Sequence, residues 1–543
     1  MAQAPACTHA VCHWPSLVGR RSSINHRRSL PHRSLSLITT SKVTTQPGPY
    51  LSSCLHLSPD PVILCPFLNG PPAPHLALPR PPTTPKMLFA RLSSTFACLA
   101  VALLAGTTSA GPVVLERDDA SSANSLANIT SSYQAFVKSF RNTTLVDDVF
   151  TAEFYQTPST PSLADSKPGT ILRIEKVTGG PKEAKFGQLP EGSTLWRINY
   201  VSVDYQNKHV PATGFVLAPY VKSNKTVAWA HGTSGITREC APSDQAQLYY
   251  GWRAVFQLVA QGYNVVAPDY AGQGSDTQFN YVEAVTHAYD VTNAVAAAKS
   301  AIPELNIDKW AVVGHSEGGM TAWSTTEYQS GLKTSDGFLG GVSLAPSMNP
   351  REINARTLAT TESRALVEQQ GSVFYTINVF ESIRRIFPTL SRDRYLTDLG
   401  KKYLDLYLAG GCFPAATMFF GSIKVDSLWK DYTWPTAREA LQWAKLIKSE
   451  GRARLTKPLL VLQGDMDEAV WPTINHETFD AHCKKFDNKS PIQFVFYKNV
   501  LHAPIIHAGS PRWFAFLEDL FANRKPRDFS HCKTLNVTGV EQH

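Results

Sequence analysis

Short apolar runs alternate with segments of helical period over most of the chain. "SLANITSSYQAFVKSF", at about 125 to 140, reads as a helix lying on the surface. Four strand candidates follow: "TILRIEKV", "LWRINYVSVDY", "VPATGFVLA" and "KTVAWAHG". The middle two alternate partly and flank the turn-prone "QNKH", which predicts a hairpin. The pattern then changes. Helix-like "GWRAVFQLVAQG" precedes "YNVVAPDY", and "YVEAVTHAYDVTNAVAAAKSAI" precedes "WAVVGHS". A helix from Ser316 precedes "LGGVSLAP". Strands alternating with helices argue for parallel crossover units, and near-continuous apolar strands for a sheet covered on both faces.

Between Met348 and Leu455 this alternation stops and helical signals take over. Phe374, Ile377, Phe380, Ile383 and Phe387 recur at three- and four-residue spacing, and Pro388 ends the run. A helical cap inserted into the sheet order is the expectation. Strand signals resume at "KPLLVLQGD" and "PIQFVFYKN", and "SPRWFAFLEDLF" supplies a final helix. The predicted class is α/β, with an antiparallel start leading into a mostly parallel sheet. Its core spans 111–347 and 456–543, and the cap 348–455.

Composition changes this picture mainly at the N-terminus. The formal charge is +8 over 543 residues, but residues 1–86 hold eight basic side chains against Asp60 alone. The remainder is nearly neutral, so the charge gives no support for a nucleic-acid partner. Residues 1–86 also hold 15 of the 37 prolines and show no sustained period, which predicts disorder. From Met87, Arg91, an apolar core at Phe96–Ala105 and the small residues Thr108, Ser109 and Ala110 have the layout of a secretory signal peptide over 87–110. A product starting at Met87 is expected, with N-terminal sequencing as the check.

Secretion agrees with two further features. Glycosylation sequons stand at Asn128, Asn142, Asn224, Asn488 and Asn536. Of nine cysteines, four follow the signal: Cys240, Cys412, Cys483 and Cys532. Four cysteines in an oxidising compartment suggest two disulfides from three possible pairings, with Cys240–Cys412 and Cys483–Cys532 preferred. The C-terminal "NVTGVEQH" offers neither an anchor tail nor a retention signal, so an extracellular monomer without a membrane anchor is expected.

The chemistry centres on Gly314-His315-Ser316-Glu317-Gly318, a G-x-S-x-G between strand and helix. Such a turn strains the serine backbone and exposes its hydroxyl at a helix N-terminus. A serine needs a base, and the base an orienting carboxylate, in the chain order Ser, acid, His. Asp465, Asp467 and Glu468 all follow the next strand. The acid is expected a few residues past the turn glycine Gly464, which favours Asp467 and leaves Asp465 to cap the turn. For the base, His502 and His507 share one loop. His231 and His315 read as scaffold residues. Oxyanion donors are expected at the Glu317 backbone N–H and at Thr233 or Ser234 in "AWAHGTSG".

Five stretches together resemble the fungal secretory lipase family: "AHGTSGITRECAPS", "GYNVVAPDYAGQG", "GHSEGG", "LLVLQGDMDEAV" and "LHAPIIHAGSP". The likeness spans about 125 to 535. It implies an α/β-hydrolase fold with a helical cap, and a triad of Ser316, Asp467 and His502, the histidine nearer the strand end. It also implies ester hydrolysis without a cofactor. A cap of apolar helices suits long acyl chains, so an ester or lipid substrate, at an oil–water interface or in solution, is expected, and no metal. Relatives with similar caps resemble deacylases of secondary metabolites, including trichothecene-type toxins. A serine peptidase shares this fold and triad, and would be expected to offer a charged anchor in its cap; Glu362 and Arg384 are left unplaced.

Overall fold

The computed structural model describes residues 122–250, 253–332, 336–448 and 451–540. The expected disordered segment and signal peptide lie outside them. Ten strands form one sheet: β1 (Ile171–Lys176), β2 (Thr194–Val203), β3 (His209–Ala218), β4 (Lys225–Ala230), β5 (Asn264–Pro268), β6 (Lys309–His315), β7 (Phe338–Leu344), β8 (Leu459–Gly464), β9 (Ile492–Tyr497) and β10 (Lys533–Val537). Their order is β1-β2-β3-β5-β4-β6-β7-β8-β9-β10. β1, β2, β3 and β5 pair antiparallel in succession, and every later pairing is parallel. The expected hairpin joins β2 to β3. Its turn is closed by Asp204, which accepts from the N–H groups of Gln206 and Lys208, and Asn207 takes the left-handed φ of 62°.

Helices α1 (Ser122–Thr143), α2 (Ala254–Ala260), α3 (Ala284–Ala301) and α4 (Glu317–Gly331) precede the insertion. Period-two geometry sends successive side chains of the central strands to opposite faces. Val227 and Trp229 of β4 accordingly join α2 in one core, while Ala228 and Ala230 join α3 and α4 in the other. The sheet is thus buried on both faces, which explains the unbroken apolar runs.

Between β7 and β8 the described chain is helical: α5 (Pro350–Ala359), α6 (Thr361–Gln369), α7 (Phe374–Ile386), α8 (Arg392–Tyr395), α9 (Asp398–Leu408), α10 (Cys412–Phe420), α11 (Val425–Leu428) and α12 (Arg438–Ile447). The predicted stripe on α7 is buried at Phe374, Ile377, Phe380 and Ile383. Around Phe380, the rings of Tyr395, Trp429 and Trp434 make edge contacts at 5.1–6.0 Å. After β8 come α13 (Pro472–Lys485), α14 (Ile505–Ala508) and α15 (Ser510–Phe521), and α15 packs Trp513 and Leu517 into the core shared with α2.

Two features depart from the sequence reading. α1 does not merely lie on the surface. Tyr133, Val137 and Phe140, at helical spacing, are buried against Leu406, Ala415 and the Cys240–Cys412 pair. Its Arg141 bridges Glu239 at 2.7 Å and the Ala409 carbonyl at 2.9 Å, clasping the cap to the core. The closing strand β10 was missed. Five residues of half-exposed edge strand carry too weak an alternation to register, and partnership with β9 makes the strand.

The disulfides are Cys240–Cys412 and Cys483–Cys532. The first closes 172 residues of sequence. A cross-link over so long a loop restricts the unfolded chain strongly. Cys240→Ser with Cys412→Ser is therefore expected to cost about 3–5 kcal/mol in denaturant unfolding; an unchanged midpoint would contradict this.

Candidate active site

β6 ends in a turn that only small residues can make. A Cβ on Gly314 would lie 2.0 Å from the Gly318 carbonyl oxygen, and one on Gly318 would lie 1.9 Å from that of Ala230. Between them Ser316 adopts φ 61° and ψ −120°, a strained conformation for a residue with a side chain. Surrounding bonds hold it there: its N–H donates to Leu344 at 2.9 Å, and its carbonyl accepts from Ser347 at 3.2 Å. Glu317 opens α4, so its N–H belongs to the first turn, where no helical carbonyl can pair with it.

The loops after β8 and β9 bring Asp467 and His502 together. Nδ1 of His502 lies 2.9 Å from Oδ2 of Asp467. The other carboxylate oxygen accepts from the N–H groups of Ala469 and Val470 at 3.0 and 2.9 Å. Gln463 donates to Asp467 Oδ2 at 2.8 Å and is itself held by Asn475 at 2.7 Å. Because the carboxylate accepts, Nδ1 carries the proton and Nε2 is left as the basic nitrogen.

The backbone of His502 is fixed as well. Its N–H donates to Glu468 at 2.9 Å, and its carbonyl accepts from Nε2 of His315 at 2.9 Å. The rings of His315 and His502 are 4.6 Å apart, so the residue preceding Ser316 touches His502 directly. Nδ1 of His315 pairs with the Tyr250 hydroxyl. Burial and the neighbouring His502 hold the His315 pKa well below its usual value, keeping the ring neutral in this positioning role. Burial also works to lower the His502 pKa, but the charge and hydrogen bond of Asp467 outweigh it and the net shift is upward.

In the loop after β4, the Thr233 hydroxyl lies 2.7 Å from that of Tyr281, whose side chain lines the same pocket as Ser316. Ser234 is turned into the scaffold: its hydroxyl donates to Gln273 at 3.1 Å, and its carbonyl accepts from Phe413 of α10 at 2.8 Å. Of the two, Thr233 reaches a residue of the pocket wall, and neither lines the pocket itself. The Glu317 side chain is fully buried and accepts from the Val282 N–H at 3.0 Å. Burial raises its pKa to about 8 and depresses that of nearby His287 to about 3, favouring the neutral form of both.

The remaining candidates fall outside the cluster. His507 is exposed on α14 with Nδ1 3.0 Å from Gln257 Nε2, and does not line the pocket. Asp465 accepts from the Asn499 N–H at 2.6 Å, the turn-tying role expected of it. His231 is stacked on Tyr270 at 4.3 Å and hydrogen-bonded to backbone, as a scaffold residue should be. Arg384 is engaged by Glu381, and Glu362 is exposed at the start of α6; neither lines the Ser316 pocket.

That pocket is lined by Tyr281, Val282, Ser316, Ser347, Pro350, Ile353, Asn354, Tyr375, Val379, Ala469 and Val470, with no charged side chain among them. It offers about 30 Å³ to water-sized groups, room for little more than one or two waters. Sequence reasoning did not find Tyr281, Ser347, Asn354 or Gln463. Only Gln463 left a signal, as a polar residue in the otherwise apolar run "LLVLQG".

The fold and this strand–turn–helix serine define an alpha/beta hydrolase. The chain belongs to the alpha/beta hydrolase family, whose model matches residues 228–518. Among solved structures, it is similar to lipase A of Candida antarctica, with a TM-score of 0.57 and 16% identity over 73% of this chain and 91% of that one. The same lipase in its closed state gives 0.55 and 16%, over 71% and 89%. A ligand-bound form of the rice cell wall degrading esterase LipA from Xanthomonas oryzae gives 0.50 and 16%, over 66% and 100%. At such identities the likeness is one of fold. The search of curated proteins found no match.

Proposed function

We propose that the protein is a secreted serine ester hydrolase of the fungal secretory lipase type, acting on acylglycerols. The observation that carries this is the buried hydrogen bond between Asp467 and His502, whose ring packs on that of His315, the residue preceding the strained Ser316 of a pocket without charge. Nε2 of His502 takes the Ser316 proton as the hydroxyl oxygen attacks the ester carbonyl. The Glu317 N–H and the Thr233 segment receive the oxyanion. The imidazolium, held by Asp467, returns its proton to the departing alcohol. Water, deprotonated by the same nitrogen, then releases the acid.

A pocket this tight admits an acyl chain only if helices of the cap move aside, as a lid does. The same tightness favours the second reading, an esterase for small soluble esters. Turnover on esters of increasing chain length, below and above their solubility limits, separates the two. A jump at the emulsion threshold is the lipase result, and saturation on short soluble esters the esterase result. Cleavage of a peptide amide alone would overturn both. The described disulfides suit an oxidising compartment, and all five sequon asparagines are exposed, in keeping with secretion and glycosylation.

The raised His502 pKa fixes the pH dependence. The base works only when neutral, so activity falls as pH drops through a value above the ordinary 6.5. The acidic limb of kcat/KM, which reports the free enzyme, is expected above that point. A limb below it would contradict the Asp467 pairing.

A further inference from the structure

Ser347 and Asn354 both line the Ser316 pocket, and neither Ser347 Oγ nor Asn354 Oδ1 has a hydrogen-bond partner among the described residues. The two residues are only 8% and 3% exposed, so solvent does not replace the missing partners freely. Leaving such atoms buried and unpaired carries their full desolvation penalty. Other bonds fix both residues in place. The Ser347 N–H holds the Ser316 carbonyl at 3.2 Å, and Nδ2 of Asn354 donates to the Pro350 carbonyl at 2.8 Å. The amide's donor side is thereby committed within α5, and its oxygen is left as an acceptor. A serine hydroxyl can donate or accept. Much of the surrounding wall is apolar: Val282, Pro350, Ile353, Val379, Ala469 and Val470.

We infer that Ser347 and Asn354 form a polar subsite beside the nucleophile that takes a hydroxyl group of the substrate. The preferred ester carries a free hydroxyl close to its carbonyl, as a partial ester of a polyol does. This rests on the ester-hydrolase reading above. A hydroxyl donates to Asn354 Oδ1 while its oxygen accepts from Ser347, so one group satisfies both atoms. A wholly apolar ester of the same shape would bury both unpaired, and sites built to hydrogen-bond a substrate discriminate strongly against analogues lacking the group.

The test compares three esters of matched length: a plain alkyl ester, a 2-hydroxyethyl ester of the same acid, and a 2-hydroxyacyl alkyl ester. Each kcat/KM is divided by the rate of hydroxide-catalysed hydrolysis, which removes intrinsic reactivity. The wild type is expected to favour one hydroxylated ester by about 10- to 100-fold. The favoured ester shows whether the hydroxyl belongs to the alcohol or the acyl part. In Ser347→Ala and Asn354→Leu the preference should fall towards unity, whatever the absolute rate. If Asn354→Leu fails to fold, the wild-type ratio and Ser347→Ala still decide. Equal normalised rates for all three esters in the wild type would overturn the subsite and leave the ester-hydrolase reading standing. Failure to cleave any ester would remove that reading, and the subsite with it.

Discussion

Ser316→Ala lowers ester turnover by about 10⁴- to 10⁶-fold, because members of such a catalytic set act as a unit and little survives the loss of one. The loss falls on kcat, since the hydroxyl forms its bond to the substrate only after binding. Alanine accommodates φ 61° no better than serine, and the turn is held by backbone bonds to Leu344 and Ser347 that the substitution leaves intact. Folding and both disulfides should therefore survive, which turnover paired with a thermal melt can check. Retention of more than a few per cent of activity in a folded variant would place the nucleophile elsewhere.

Asp467→Asn is expected to cost about 10⁴ in kcat. Asparagine turns an N–H towards Nδ1 of His502, which moves the ring proton to Nε2, the nitrogen that must accept the Ser316 proton. The same change sets an amide donor against Gln463, which now donates to Asp467 Oδ2 at 2.8 Å. With its carboxylate gone, burial lowers the His502 pKa against only the weaker upward pull of the Glu468 charge, so the acidic limb of any residual activity moves down. Asp465→Asn and Glu468→Gln serve as comparisons. Asp465 ties a turn, and a glutamine at 468 keeps an oxygen for the His502 N–H. The ranking of the three carboxylates is the readout: a larger loss at 465 or 468 than at 467 contradicts the assignment.

How much of this was legible in the sequence depends on the range of the interaction. The parallel strands could be read because each is buried on both faces and so is apolar throughout. The hairpin, the elbow glycines and the α7 stripe are local patterns and survive folding unchanged. β10 was lost because an edge strand so short exists only through its neighbour β9. α1 was recognised as a helix, but not as a clasp, since the cap carbonyls of Gly410 and Ala409 that Tyr133 and Arg141 hold lie 277 and 268 residues away.

The site divides in the same way. Ser316, Asp467 and His502 stand at strand ends in a fixed chain order, which a sequence shows. The different surroundings of Thr233 and Ser234 come from the Tyr281 hydroxyl and Gln273, which only the fold brings to that loop. Ser347 and Asn354 carry no motif at all. They matter because the turn into the cap sets them in the wall beside Ser316.

The most direct test of the central claim is covalent labelling with a fluorophosphonate followed by peptide mapping. The reagent reacts with a serine only where a base activates it and an oxyanion site receives the phosphoryl oxygen. One label per molecule, confined to Ser316 and abolished in His502→Ala, is the result expected. Label on another serine, or active ester hydrolysis with Ser316 unlabelled, would contradict the account.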